Sequence, residues 1–315
     1  MFYAAFFEKK VGAKNKTTYN LKKMTIKEHL KLLYTELKKS KIENPRLEAE
    51  LIIENILKVN KKYLILNPNK EINKNNLNKI KNHLEKRLNL YPMAYIKKEK
   101  YFYNLKFFVN KDVLIPRPES ELIIDEIIKK TKDNSEATTI MDIGTGSGCL
   151  IINLANILSK NKKIDFYGID ICQKALKIAE KNAKLNKAEK NVKFIQSDLL
   201  QKIIDKKIKL KEKIIITANL PYLTKEEIKN SPSIKFEPVK ALDGGKDGLR
   251  YYKKILSQVK KIKNKKNHIE IYMEISDWQN KVLILEVKNI LKNYKVKIKT
   301  IKDLTKQNRL ILVSL

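Results

Sequence analysis

Cysteine is nearly missing from this 315-residue chain, which has only Cys149 and Cys172. Two thiols build neither a disulfide framework nor, unaided, a zinc site, and such sparing use fits a reducing compartment. Long apolar runs are missing too. None approaches the roughly 20 residues that cross a bilayer, so a soluble, cytoplasmic protein is expected. Residues 1–23 open on a short apolar patch and turn basic and polar, without the charge order, long apolar core and small-residue cleavage site of a signal peptide. Lys rather than Arg and Ser dominates them, which argues against a transit peptide. They read as a disordered leader, or as the product of an upstream start codon with Met24 as the true beginning.

Acids are scarce beside bases: 35 Asp+Glu against 68 Lys+Arg leave a formal net charge of +33. That excess favours polyanionic partners such as RNA or ribosomes through counterion release. The lysines, however, are spread through the chain with Ile and Asn and are not interleaved with aromatics as a single-strand-binding groove requires, so composition bias is the stronger reading. Hydrophobic content of 43% over this length supports a catalytic domain plus a smaller one.

From Thr25 the pattern is helical. Thr25-Ile-Lys-Glu28 matches a capping box, with Ile26, Leu30, Leu33 and Leu37 along one face. Asn44-Pro45 reads as an N-cap and a first-turn proline ahead of Leu47 to Leu57, and a third helix fits Leu77, Ile80, Leu84 and Leu88. These predict a small helical domain over 24–90. His29 and His83 lie among charged residues and read as solvated. Tyr91-Pro92 breaks the pattern, and the aromatic stretch 91–114 predicts a strand hairpin linking two domains. A catalytic domain then occupies 115–315. At its start Arg117 is held between two prolines, either as a structural clamp or at the mouth of a cofactor pocket, and Glu119 and Glu121 begin a helix.

From Thr138 strands and helices alternate. Strand 138–143 runs into Asp142-Ile-Gly144-Thr145-Gly146-Ser-Gly148, followed by a helix from Cys149. Glycines at every second position let a turn pass beneath a ligand, and the helix points its amide end there. The loop departs from the G-x-G-x-x-G of dinucleotide sites, and the acid at its head suits a cationic ligand better than a pyrophosphate. The strand from Ile164 ends in Asp170, placed to accept both hydroxyls of a ribose. After the strand at 192–195, Asp198 is either an acceptor for an adenine amino group or a helix N-cap.

The buried run Ile214-Ile215-Ile216 then delivers Ala218-Asn219-Leu220-Pro221-Tyr222-Leu223. Asn219 offers a side-chain acceptor, the Leu220 carbonyl precedes the stiffening Pro221, and Tyr222 supplies a flat face, a set suited to a planar NH2 group. A glycine loop without a phosphate-binding lysine, a ribose acid and an adenine acid together point to S-adenosylmethionine. No His/Cys/Asp cluster resembles a metal site.

Several stretches resemble the HemK/PrmC protein-glutamine N5-methyltransferases, which modify peptide chain release factors. These are Ala94-Tyr-Ile96, Val113-Leu-Ile-Pro-Arg-Pro-Glu-Ser-Glu121, Asp142 to Cys149, Phe236-Glu-Pro238, Ala241-Leu-Asp-Gly-Gly-Lys-Asp-Gly-Leu249, Met273-Glu274 with Gln279, and Lys302-Asp303 to Arg309. The likeness covers about 24–315. It implies a Rossmann-like class I methyltransferase fold, α/β with a seven-stranded sheet, behind a helical domain that helps bind the substrate. It further implies a class-I release factor as partner and the glutamine of its Gly-Gly-Gln loop as acceptor, with no nucleic acid required and no membrane. Asn219, Pro221 and Tyr222 would be catalytic. Asn219, Leu220, Pro221, Tyr222 and Arg117 would bind the substrate, and Asp142, Gly144, Thr145, Gly146, Gly148, Asp170, Asp198 and Asn219 the cofactor. One departure is Leu220, where the family has proline; Asn-Leu-Pro-Tyr also resembles the rRNA adenine dimethyltransferases. An adenine-N6 methyltransferase acting on RNA or DNA is therefore the alternative enzyme, and an RNA- or ribosome-binding protein that has lost activity the alternative outside enzymes.

Overall fold

The computed structural model describes residues 24–131, 136–159, 161 and 163–315; the expected leader, 1–23, lies outside them. The chain divides between Lys97 and Lys98 into two compact units.

The first unit is helical: α1 (Ile26–Lys39), α2 (Pro45–Leu57), α3 (Lys61–Leu66), α4 (Lys74–Leu88) and α5 (Met93–Lys97). Thr25 and Glu28 form the expected capping box, each side chain bonded to the other's backbone N–H, which stabilises the start of α1 by about 1 kcal/mol. Ile26, Leu33, Leu37, Ile52, Ile53, Ile80 and Leu84 bury one core. Three local readings change. Asn44 precedes α2 with φ +52° and makes no side-chain cap bond. The six residues of α3, too short to show a helical period, are a helix capped by Asn60. His29 is buried rather than solvated, its Nδ1 2.9 Å from the Thr25 carbonyl oxygen, and burial lowers its pKa.

Met93–Lys97 is also helical where a strand was expected, because the Pro92 carbonyl accepts from the Tyr95 and Ile96 N–H groups and so starts a turn instead of ending one. The hairpin is confined to β1 (Glu99–Phe102) and β2 (Leu105–Phe108) in the second unit, and buries Phe102 and Phe107 against the sheet's helices.

The rest of the second unit is α6 (Glu121–Thr131), β3 (Thr138–Ile143), α7 (Cys149–Leu158), β4 (Ile164–Asp170), α8 (Gln173–Leu185), β5 (Val192–Gln196), α9 (Gln201–Asp205), β6 (Lys213–Ala218), α10 (Lys225–Lys229), α11 (Arg250–Ile262), β7 (His268–Glu274), α12 (Asn280–Ile290), β8 (Lys297–Lys302) and β9 (Asn308–Ser314). Seven strands form one sheet, ordered β5-β4-β3-β6-β7-β9-β8, parallel except where β9 pairs antiparallel with β7 and β8. Every residue of β6 is buried. Ile214, Ile216 and Ala218 pack with Leu256, Val259 and Leu283 on one face, and Ile215 packs with Ile151 and Leu154 on the other. A strand covered on both faces has no polar side, hence its unbroken apolar run.

After β3 the chain winds outward to β4 and β5, then returns across β3 to β6. The reversal lies between β3 and β6, where open α/β sheets bind ligands beyond the strand C-termini.

Candidate active site

Register aligns the ends of four parallel strands. Ile169, Ile143, Ala218 and Met273 are partners across β4, β3, β6 and β7, so Asp170, Gly144, Asn219 and Glu274 follow one position later in a single row. Four residues far apart in the chain therefore come together at the reversal point.

The glycine turn is pinned from three directions. The N–H groups of Gly144 and Thr145 both donate to the Ile169 carbonyl. Asp170 accepts the Gly146 N–H at 2.9 Å with one oxygen and the Cys172 N–H at 2.8 Å with the other. Asn182 on α8 donates to the Ser147 carbonyl at 2.9 Å. Gly146 has φ +53°, and a Cβ built there would meet nothing nearer than the Gly144 carbonyl oxygen at 3.9 Å, so the turn has open space above it.

Asp142, expected to face a ligand, faces inward instead. It is 2% exposed, and its two oxygens accept the hydroxyls of Thr145 at 2.6 Å and Thr217 at 2.7 Å. Its place is to tie the turn to β6. Burial pushes its carboxyl up to about 6 although both hydroxyls oppose that, and the nearby Asp170 adds to the rise. Thr145, also buried, serves the same tie. Burial likewise raises the Asp170 carboxyl, against three backbone N–H groups. Asp198 does not cap a helix: the Lys202 N–H at the start of α9 bonds to the Ser197 hydroxyl, and Asp198 pairs with Lys254.

Asn219 lines a cavity of about 230 Å³ together with Leu114, Arg117, Tyr222, Ser233 and Glu274. Its Nδ2 donates to the Ser120 hydroxyl at 2.8 Å. Ser120 donates in turn to Glu274 at 2.6 Å, and the other Glu274 oxygen accepts the Tyr222 hydroxyl at 3.3 Å. Tyr252 donates to the Glu274 carbonyl. Leu220 is buried, and a Cβ added to Gly144 would touch its side chain at 3.0 Å, so leucine at this position packs the Asn219 loop onto the glycine turn.

The segment 241–249 clamps the same loop. The Leu223 N–H bonds the Leu242 carbonyl, the Gly244 N–H bonds the Leu223 carbonyl, and the fully buried Gln279 amide donates to the Tyr222 carbonyl at 3.0 Å and the Gly248 carbonyl at 3.3 Å. Gly248 has to be glycine: a Cβ would lie 2.3 Å from the Tyr222 carbonyl oxygen. Arg117 is ion-paired to the buried Glu237, which also accepts the Ile115 N–H at 2.9 Å.

Sequence reasoning quoted Ser120, Glu237, Glu274 and Gln279 within motifs but gave them no task, because each acts on a residue tens of positions away. It passed over Ile171, 61% exposed directly after Asp170. Among the described residues no group of His, Cys, Asp and Glu could hold a metal ion, and no helix is long and apolar enough to cross a membrane.

Two family models match: a PrmC N-terminal domain over residues 28–97 and a methyltransferase domain over 134–234. The release factor glutamine methyltransferase of Thermodesulfovibrio yellowstonii is 37% identical over 84% of this chain and 91% of its own. Those of Fusobacterium nucleatum and Borreliella burgdorferi are each 39% identical, over 78% and 85% of this chain and 70% and 88% of their own. With the sheet order, the glycine turn and the Asn219 loop in place, likeness at that level over more than three quarters of its length makes this chain a member of the release factor glutamine methyltransferase family.

Proposed function

We propose that this protein transfers a methyl group from S-adenosylmethionine to the side-chain amide nitrogen, N5, of the glutamine in the Gly-Gly-Gln motif of a class-I peptide chain release factor. Family membership supports the reaction and the kind of substrate. On this chain's own residues, the carrying observation is that Asn219 lines a cavity one strand over from the glycine turn.

The turn suits the cofactor. Open space lies above Gly146, and Asp170, held by the Gly146 and Cys172 N–H groups, stands beside it to accept from a ribose. Ile171 would cover the base, and Asp198 would offer the adenine amino group its oxygen not paired to Lys254. Bound there, S-adenosylmethionine supplies an electrophilic methyl on a sulfonium centre. Asp142 and Thr145 hold the turn in shape from behind.

An amide nitrogen is a poor nucleophile because its lone pair is delocalised into the carbonyl. Asn219 Oδ1 and the Leu220 carbonyl accept its two hydrogens, fix its direction and stabilise the positive charge that grows on it. Pro221 stiffens the second acceptor, and the Tyr222 ring lies against the amide plane. No residue of the site has to act as a strong base, because the amide nitrogen becomes acidic as the methyl is transferred and then sheds its proton, while Glu274 is engaged by the Ser120 and Tyr222 hydroxyls. Arg117, fixed by Glu237, stands in the cavity wall and contacts the release factor, and the helical unit adds recognition of that protein.

Incubation with methyl-labelled S-adenosylmethionine and purified release factor should label the Gly-Gly-Gln peptide. An unlabelled peptide defeats the reading, and labelled ribosomal RNA in its place establishes adenine methylation.

A further inference from the structure

The two ends of an asparagine amide have nearly the same shape, so only its hydrogen bonds decide which one faces a ligand. At Asn219 that decision is made two residues away. Glu274 is 2% exposed, and an ionised carboxylate can only accept. Ser120 has a single proton and sits 2.6 Å from Glu274, so its proton goes there and its oxygen is left to accept. The edge of Asn219 turned to Ser120 at 2.8 Å must then be the NH2, and Oδ1 is left for the cavity. If the serine proton pointed the other way the amide would turn over and set an NH2 against the NH2 of the substrate.

We infer that Ser120 and Glu274 are positioning residues: a hydrogen-bond relay from Glu274 through Ser120 holds Asn219 with its carbonyl toward the cavity, and so selects a side chain carrying two N–H donors, a primary carboxamide. The inference rests on the functional reading above and names what sets its specificity. Burial raises the Glu274 carboxyl above the ordinary carboxylate range and Glu119 adds to the rise, while the Ser120 and Tyr222 hydroxyls and the Arg309 guanidinium on β9 oppose it, so the acid limb of the relay lies above that of a free carboxylate. Tyr252, on α11, donates to the Glu274 backbone carbonyl rather than to its carboxylate.

The test compares wild type, Ser120→Ala, Ser120→Thr, Asn219→Ala and the Ser120→Ala/Asn219→Ala double variant. Transfer of labelled methyl to release factor is followed against pH, and S-adenosylmethionine affinity by calorimetry. Ser120→Ala should lower kcat about tenfold, the worth of one lost orienting hydrogen bond, with cofactor affinity unchanged. Ser120→Thr, which keeps the hydroxyl, should restore most of it. In the Asn219→Ala background Ser120→Ala should cost nothing further, because both act through one amide. The wild-type kcat should fall in acid as Glu274 takes a proton and the relay reverses, and Ser120→Ala should lack that limb. Ser120→Cys, a poor hydrogen-bonder of similar shape, serves if Ser120→Ala does not fold. Losses that multiply in the double variant, or a Ser120→Ala enzyme with full kcat, overturn the relay while the functional reading stands. A wild-type enzyme that leaves the release factor unlabelled overturns both.

Discussion

Asn219 and Glu274 each stand one residue past a register pair, Ala218 and Met273, on neighbouring parallel strands, and the hydroxyl of Ser120 bonds to both. A buried carboxylate with one empty oxygen would cost several kcal/mol. Here Ser120 takes one oxygen and Tyr222 the other, so the carboxylate that lines the cavity holds Tyr222 directly and Asn219 through Ser120.

Replacing Asn219 by alanine should separate binding from transfer. Methyl transfer should fall by about 10²- to 10³-fold, the usual loss when one preorganised polar partner of the reacting group is removed. Affinity for S-adenosylmethionine, measured by calorimetry, should stay near that of the wild type. A large loss of cofactor binding would place Asn219 on the cofactor side of the site.

Two glycines should fail in opposite ways. Gly146→Ala puts a methyl group into open space at φ +53°, costing about 1 kcal/mol of stability but more than tenfold in cofactor affinity. Gly248→Ala drives a Cβ to 2.3 Å from the Tyr222 carbonyl and 2.4 Å from the Gln279 amide, so it should cost about 3 kcal/mol and displace the Asn219 loop. Urea unfolding and cofactor titration of both variants distinguish the outcomes.

Asp142 should make stability fall as pH rises. Its carboxyl titrates at about 6 in the folded protein against 3.8 ordinarily, so between these values the folded state holds a proton that the unfolded chain releases. The contribution is present in full below about pH 4 and lost as pH rises through about 6, a change of about 3 kcal/mol at most. Asp142→Asn has no such proton. Its unfolding free energy relative to the wild type should therefore rise by up to that amount between pH 4 and 7, and a gap that does not move with pH would contradict the burial of a charge there.

Removing Arg117 strands Glu237. That carboxylate is 1% exposed at its side chain and would keep only the Ile115 N–H, so Arg117→Ala should destabilise by about 3 kcal/mol and raise KM for the release factor. Arg117→Lys should recover part of the stability. An unchanged melting temperature in the alanine variant would mean that the pair does not hold the 114–118 segment.

Much of the sheet was legible in residue order. The strand at 138–143 and the strand from Ile164 to Asp170 have the bounds their patterns predict, and the helix after the glycine loop starts at Cys149, because β-branched runs end at glycine or charge. The six-residue helix at 61–66 was not legible, since fewer than two turns show no period, and Pro92 was misread because a proline can open a turn as readily as break one. His29 looked solvated among charged neighbours, yet it lies on the buried side of α1.

The amino-acid order alone determined the strand ends, the glycine turn that only left-handed backbone can make, and the Asn219 loop, because each depends on neighbours within a few residues. Tertiary structure alone decided what those pieces do to one another. It turned Asp142 inward onto Thr217, 75 positions on, brought Glu237 to Arg117 across 120, and set Ser120 against a carboxylate 154 positions away. Such pairings depend on strand order and register, and local pattern carries no record of either.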